Sequence, residues 1–386
     1  MTPGARVAAA IEILDDMSQG RAAEQALTRW ARNSRFAGSK DRAAVRDHVF
    51  DVLRCRRTAA HFGQGQDGRA LMIGLLHQQG ADLSALFDGA GHAPPPLSDK
   101  ERAFPGPPAD LSTALNLPDW LVPLFEASLG ADTTATAQAL QTRAPVHLRV
   151  NVARTTVLQA AEKLALEGVD TERNSLSPTA LTVTQGARRI KQTSVFKEGL
   201  VELQDGASQA VVDAIPAGRK VLDYCAGGGG KALALAAQTS RRVYAHDADP
   251  NRMTDLPERA NRAGTSIAIL NHDQVLKTAP YDVILCDAPC SGSGAWRRAP
   301  GGKWLLTPDR LTALTQIQDD ILDATAPLLS SGGTLVYATC SVLASENEDR
   351  VAAFLDRHAG WASPFQRRFG VTSQGDGFFT AHLTRE

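Results

Sequence analysis

"KVLDYCAGGGGKALALAA", residues 220–237, decides the fold. Its apolar start ends at Asp223 and reads as a short buried strand. A helix begins near Ala232, and four consecutive glycines, Gly227, Gly228, Gly229 and Gly230, lie between. Strand, glycine turn and helix in succession predict an α/β doubly wound sheet with a ligand at the strand's carboxyl end. Glycine lets the backbone adopt positive φ and approach a bound nucleotide closely. A Walker phosphate loop is excluded, because Cys225 stands where its first glycine belongs and Lys231 precedes Ala232 rather than Ser or Thr. Gly227, Gly229 and Ala232 do satisfy G-x-G-x-x-A, so this stretch alone leaves NAD open.

Further strands follow the same texture: "RRVYAHDAD" (241–249), "SIAILNHD" (266–273), "YDVILCDAP" (281–289) and "GGTLVYATCS" (332–341). Asp247 is then available to ribose hydroxyls and Asp273 to an adenine amino group, with Asp249 a bystander. An acid at the end of each of three successive strands is the layout of a class I S-adenosylmethionine methyltransferase with its Rossmann-like sheet. We therefore expect a catalytic domain over 211–386. Before it, "VHLRVNV" and "ALTVTQG" alternate as strands around a helical "TVLQAAEKLALEGV", and "LVELQDG" adds another strand, which predicts a small α+β module over 136–210. Residues 1–135 read as helical. In "KDRAAVRDHVFDVLRCRR", Val45, Val49, Val52 and Leu53 share a face, and a proline-rich stretch, "HAPPPLSDKERAFPGPP", interrupts the helices.

The chain has 386 residues, 43% hydrophobic and 22% charged, which fits a folded protein of more than one domain. A net charge of −1 gives no general attraction to nucleic acid, so any such partner requires a local basic face. No apolar run reaches membrane-spanning length, and acids occupy the place of a signal peptide's apolar core, so a cytoplasmic location and no membrane partner are expected. The five cysteines, at 55, 225, 286, 290 and 340, contain no C-x-x-C pair. Neither a disulfide framework nor a metal site is expected.

Cys290 and Cys340 each follow the end of a strand, where active sites are built. Methylating carbon 5 of a pyrimidine requires a thiolate to add at carbon 6, which turns carbon 5 into a nucleophile. An acid against ring nitrogen 3 stabilises the developing charge, and Asp287 suits that task. One cysteine can attack while the other assists release. Cys55 and Cys286 read as small hydrophobes, and Cys225 as a contributor of backbone. Were the pyrimidine part of a nucleic acid, basic residues would have to hold the backbone around a base that is unpaired or extruded. "WRRAPGGKW" offers Arg297, Arg298 and Lys303 between two tryptophans, and "GARRIKQTSVFKEG" offers Arg188, Arg189 and Lys191. Gln204 and Asp205 either shape the pocket or cap a turn.

"DAPCSGSG" (287–294) together with "GGTLVYATCS" resembles the paired motifs of the RsmB/Sun/Nop family of S-adenosylmethionine-dependent RNA cytosine-5 methyltransferases. The resemblance implies Cys340 as nucleophile, Cys290 as the thiol of product release, and Asp287 on the cytosine. It maps the cofactor loop to Cys225, Ala226, Gly227, Gly228, Gly229, Gly230 and Lys231, with Lys231 also in the catalytic set, and the remaining cofactor acids to Asp247, Asp273 and Asp287. "GSKDRAAVRDHVFDVLR" is similar to a NusB-like helical RNA-binding domain. "LRVN" and "LQDGASQ" are similar to a ferredoxin-like module, and "GDGFFTAHL" to the family's final hairpin. Ribosomal RNA of the small subunit is the implied partner, with no obligate protein partner evident. The family usually has Ala-Pro-Gly-Gly-Lys-Thr where this chain has Gly227 to Ala232. That change loosens the unfolded chain by about 0.4–1 kcal/mol per substitution. A DNA cytosine-5 methyltransferase would use Cys290 as nucleophile and leave Cys340 idle. A non-catalytic ribosome-assembly factor would fit the altered loop, and an NAD oxidoreductase would leave both cysteines without a role.

Overall fold

The computed structural model describes residues 1–238 and 240–385, which form two compact units. One comprises Met1–Arg143 together with Trp296–Leu305, and the other Ala144–Ala295 with Leu306–Glu386.

The first unit is helical. Helices Pro3–Ser18, Ser39–Arg54 and Gly68–Gln78 converge on a core of Val7, Ile13, Val49, Val52, Met72 and Ile73. The predicted apolar face is the buried one: Val45, Val49, Val52 and Leu53 are all inaccessible or nearly so. Helices Arg56–Gly63 and Gly68–Gln78 approach so closely that a Cβ on Gly74 would lie 1.9 Å from the Ala59 carbonyl oxygen. Asp67 caps the second of this pair by accepting from the Ala70 N–H at 2.9 Å. Within the proline-rich stretch, Ser98 and Glu101 form a capping box around the one-turn helix Asp99–Arg102.

The second unit contains two sheets. In the smaller, β1 (Val146–Val150), β2 (Thr171–Arg173), β3 (Ala180–Val183) and β4 (Val201–Leu203) lie in the order β2-β3-β1-β4, all antiparallel, which is the expected ferredoxin-like arrangement. Strand β2 was not legible in the sequence: "TER" is polar and half exposed, so it carries no strand pattern.

The larger sheet has seven strands: β5 (Lys220–Asp223), β6 (Arg242–Ala245), β7 (Ile267–Ile269), β8 (Tyr281–Asp287), β9 (Leu329–Thr339), β10 (Trp361–Phe369) and β11 (Phe378–Arg385). Their order is β10-β11-β9-β8-β5-β6-β7, with β11 alone running antiparallel to the other six, the order of a class I methyltransferase. Val221, Val283, Leu285 and Val336 enter one apolar core, while Leu222, Ile284, Cys286 and Tyr337 enter another. Successive side chains thus bury opposite faces, as a sheet covered on both sides requires. The strand order reverses between β5 and β8, and a crevice at that reversal is where such folds bind ligands.

Candidate active site

The glycine turn leaves β5 and enters the helix Gly230–Ala236. Gly227 and Gly229 have φ of +52° and +77°, and a Cβ at Gly229 would lie 2.3 Å from Leu256 Cδ1. Larger residues are therefore excluded at Gly229 both by conformation and by space. The turn is held by side chains from elsewhere in the unit. Asp247, buried after β6, accepts from the Gly227 N–H at 2.8 Å and from the Asp249 N–H at 2.9 Å. Arg252 lies 3.3 Å from the same carboxylate. Arg149 on β1 donates to the Gly230 carbonyl at 2.7 Å and to Gln204 Oε1 at 2.6 Å, and Arg259 donates to the Gly228 carbonyl. Cys225 is half-buried, and desolvation pushes its thiol well above the usual range, which fits a backbone role.

Asp273 departs from its expected place. Strand β7 ends at Ile269, and Asp273 stands exposed in the first turn of the helix His272–Thr278, which Asn271 caps. Three acids at three strand ends therefore become Asp223, Asp247 just beyond β6, and a helical Asp273. The reading failed because "LNHD" continues the polarity of a strand end, whereas Asn271 and Gln274 form a capping box that starts a helix earlier.

Asp223 was not singled out as a site residue. It is 1% exposed, and neither carboxyl oxygen has a hydrogen-bond partner among the described residues. Burial, reinforced by Asp287, pushes its pKa up to about 8. The Ala232 N–H and the Lys231 charge offset only part of that rise, and a buried acid so short of donors at the base of a glycine turn suits a ligand that brings a cation or N–H groups. S-adenosylmethionine, with its sulfonium and ammonium, meets that requirement.

Across the switch point, Lys231 Nζ donates to Asp287 Oδ2 at 2.7 Å. Burial alone would lower the Lys231 pKa, but the Asp287 charge and hydrogen bond outweigh it and the net shift is upward. The Cys340 sulfur adds to that upward pull. The ammonium also sits 5.0 Å from the Phe378 ring centroid, so the final hairpin walls the site. Cys290 and Cys340, fifty positions apart in the chain, bring their sulfurs to 3.4 Å. The hydrogen bond with Cys340, and then burial, raise the Cys290 thiol well above its usual range. Cys286 is inert in the core, pushed by burial to about 12.

Asp205 is a helix cap, accepting from the Ala207 N–H, and is bonded to His147; Gln204 braces Arg149. Both serve the turn-holding alternative. Arg188, Arg189 and Lys191 are exposed around the turn Ala187–Gln192. The cluster after Cys290 requires correction. Arg297 and Lys303 are about 2% and 1% exposed, built into the helical unit rather than offered to a ligand. Lys303 donates to the Arg54 carbonyl at 3.2 Å, and burial lowers its pKa to about 7. Arg54 donates to the Arg297 carbonyl at 2.8 Å, Trp304 donates to the Leu53 carbonyl at 2.7 Å, and Trp296 stacks on Phe125. Arg298 alone of the three is exposed. Among the described residues no group of His, Cys, Asp and Glu is placed to hold a metal ion.

Comparison with known proteins covers most of this chain. Residues 212–384 match the family model of the 16S rRNA methyltransferase RsmB/F, and residues 117–189 match the ferredoxin-like domain of RsmF/B-like methyltransferases. The chain is similar to "Ribosomal RNA small subunit methyltransferase B" of Citrobacter koseri, 35% identical over 285 residues that cover 70% of this chain and 66% of that protein. The protein of the same description from Yersinia pseudotuberculosis is 32% identical over 288 residues, with the same two shares. The match thus spans just under two thirds of the length of these relatives. Among solved structures, a methyltransferase homologue from Pyrococcus horikoshii shares the fold with a TM-score of 0.63 at 24% identity, covering 71% of this chain and 97% of that one. NSun6 from Pyrococcus horikoshii gives 0.60 at 17% identity over 70% and 98%.

Proposed function

Since the chain belongs to the RsmB/F family of 16S rRNA methyltransferases, we propose that it methylates carbon 5 of a cytosine in small-subunit ribosomal RNA. The observation that carries the reading is the pair of sulfurs at 3.4 Å beside the Lys231–Asp287 ion pair, at the switch point that also holds the glycine turn.

S-adenosylmethionine supplies an electrophilic methyl group when bound. Gly227 to Gly230, Asp223 and Asp247 hold it, with Asp273 at the adenine side. Cys340 adds its sulfur to carbon 6 of the cytosine, and the ring's electron density moves toward nitrogen 3. Asp287, held in place by Lys231 Nζ, faces nitrogen 3, and the Lys231 ammonium beside it offsets the charge that develops there. Carbon 5 becomes nucleophilic. After methyl transfer, loss of the carbon 5 proton re-forms the ring double bond and expels Cys340, a step that Cys290 assists. The target base is unpaired or extruded, because a stacked base hides carbon 6.

The helical residues 1–135 are NusB-like and engage RNA on this reading, the module 136–210 presents Arg188, Arg189 and Lys191 to the phosphate backbone, and 211–386 performs the chemistry. Arg298 remains an RNA contact in this proposal, without Arg297 and Lys303. No helix among the described residues is long and apolar enough to cross a membrane, which accords with a cytoplasmic site of action. Bisulfite mapping of total RNA from cells with and without the gene tests the proposal. A small-subunit cytosine that resists conversion only in the presence of a chain bearing Cys340 is the expected result. Full conversion in both would reduce the protein to an RNA-binding factor.

A further inference from the structure

Glu346 lies in the short helical turn Ala344–Glu346 just beyond Cys340, far in sequence from Cys290, and is completely buried. Its Oε1 accepts from the Ser291 backbone N–H at 2.7 Å and from Gln318 Nε2 at 3.2 Å. Its Oε2 accepts from the hydroxyls of Ser291 at 2.5 Å and Ser341 at 2.6 Å. Ser291 immediately follows Cys290, and Ser341 immediately follows Cys340. One carboxyl group therefore ties the two thiol-bearing turns to each other. It is itself held in place, since Tyr337 donates to the Glu346 carbonyl at 2.6 Å and Gln318 also donates to the Pro289 carbonyl at 3.0 Å.

The two turns differ in what else restrains them. Cys340 continues directly from β9, and Asn347 reinforces its turn by bonding the Thr339 hydroxyl and the Ser341 carbonyl. Cys290 lies three residues beyond the end of β8, outside the ladder, so the Ser291 bonds to Glu346 are a larger share of what fixes it. A buried carboxyl with donors converging from both turns is also costly to leave without them. We propose that Glu346 is a positioning residue that sets the separation of the Cys290 and Cys340 sulfurs and thereby couples release to attack.

Two readouts test this, and the first needs neither RNA nor cofactor. Diamide takes up two hydrogens at its azo bond as two thiols lose them and join as a disulfide, so the rate of Cys290–Cys340 crosslinking, followed by peptide mass mapping, reports their proximity. Glu346→Ala should slow that rate by about tenfold or more, because small displacements of reacting atoms carry large rate penalties. Glu346→Gln should remain within about threefold of the parent, since an amide keeps a carbonyl for the Ser291 N–H and the serine hydroxyls can turn to accept its N–H groups. Equal rates in all three would overturn the proposal. Should Glu346→Ala melt early, Ser291→Ala combined with Ser341→Ala carries the same expectation.

The second readout rests on the proposed methyltransferase activity. Glu346→Ala should prolong the covalent RNA adduct through Cys340 as Cys290→Ala does, with unchanged S-adenosylhomocysteine affinity, and Glu346→Gln should restore turnover. Slow crosslinking with a parental adduct lifetime would overturn the coupling to release. Absence of an adduct in every variant, Cys290→Ala included, would overturn the methyltransferase reading while the crosslinking result stood.

Discussion

The glycine turn after β5 and the cysteine turns after β8 and β9 stand at one edge of one sheet, yet they are stiffened from opposite directions. Residues 227–230 have no side chains, so their geometry is imposed by Arg149, Asp247 and Arg259, which come respectively from β1, from the turn after β6 and from the helix Leu256–Ala263. The cysteine turns carry their own fastenings. Ser291, Ser293 and Ser341 stand beside the thiols they fix, Ser293 and Ser341 share a hydrogen bond of 2.9 Å, and the Gly294 N–H bonds the Cys340 carbonyl. A turn that must admit a ligand to its backbone borrows rigidity from a distance. A turn that must aim two sulfurs builds part of it in and joins its neighbour through the Glu346 carboxylate.

The largest expected effect divides the sulfurs themselves. Cys340→Ala should abolish methyl transfer and form no covalent RNA adduct, a loss of at least about a thousandfold. Cys290→Ala should still attack and accumulate a protein-linked RNA band on denaturing gels, lost again in the double variant. Adduct in Cys340→Ala and none in Cys290→Ala would exchange their roles and remove the asymmetry between the two turns.

Asp223 sharpens the comparison from the glycine side through pH. Its folded pKa, about 8, lies above the unfolded value of 3.8, so the stability it contributes is complete below pH 4 and is lost as pH rises toward 8. Cofactor-free protein should therefore lose up to roughly 5–6 kcal/mol across that window, and Asp223→Asn should flatten the profile in urea titrations. An unchanged slope in the variant would mean that the acid meets donors in solution that its burial denies it here.

The smallest effects rank the borrowed supports. Asp247→Ala should weaken S-adenosylhomocysteine binding by about 1–3 kcal/mol, since it loses both a charged acceptor and the anchor of Gly227. Arg259→Ala removes one hydrogen bond to Gly228 and should cost about 0.5–1.5 kcal/mol. Calorimetry that found Arg259→Ala the more damaging would make the turn's shape matter more than the acid.

What could be read in the sequence follows the same division. The strands of the parallel sheet, the glycine turn and both thiols lie in contiguous runs whose pattern and chemistry are local, and they were legible. Arg149, Arg259 and Glu346 act on residues between 31 and 81 positions away, apart from Ser341 five residues before Glu346, so no short pattern announces them. "WRRAPGGKW" misled for a different reason. Cations interleaved with tryptophans have one composition whether they face RNA or, like Lys303 over the Trp304 ring at 4.7 Å, fill a helical core. Asp223 was hidden because an acid at a strand end looks the same whether solvated or orphaned.

The chain passes from the helical unit to the sheet unit at residue 144, returns for the ten residues 296–305, and leaves again. Its modularity is therefore interleaved rather than serial. A fragment ending at residue 143 would lack Trp296, Lys303 and Trp304 from its own interior, and the complementary fragment would expose them as an unmatched aromatic loop. Exchange of the helical part between relatives, in the laboratory or in evolution, has to carry two separated pieces of gene, so a substitution in either piece is judged by its fit to the other.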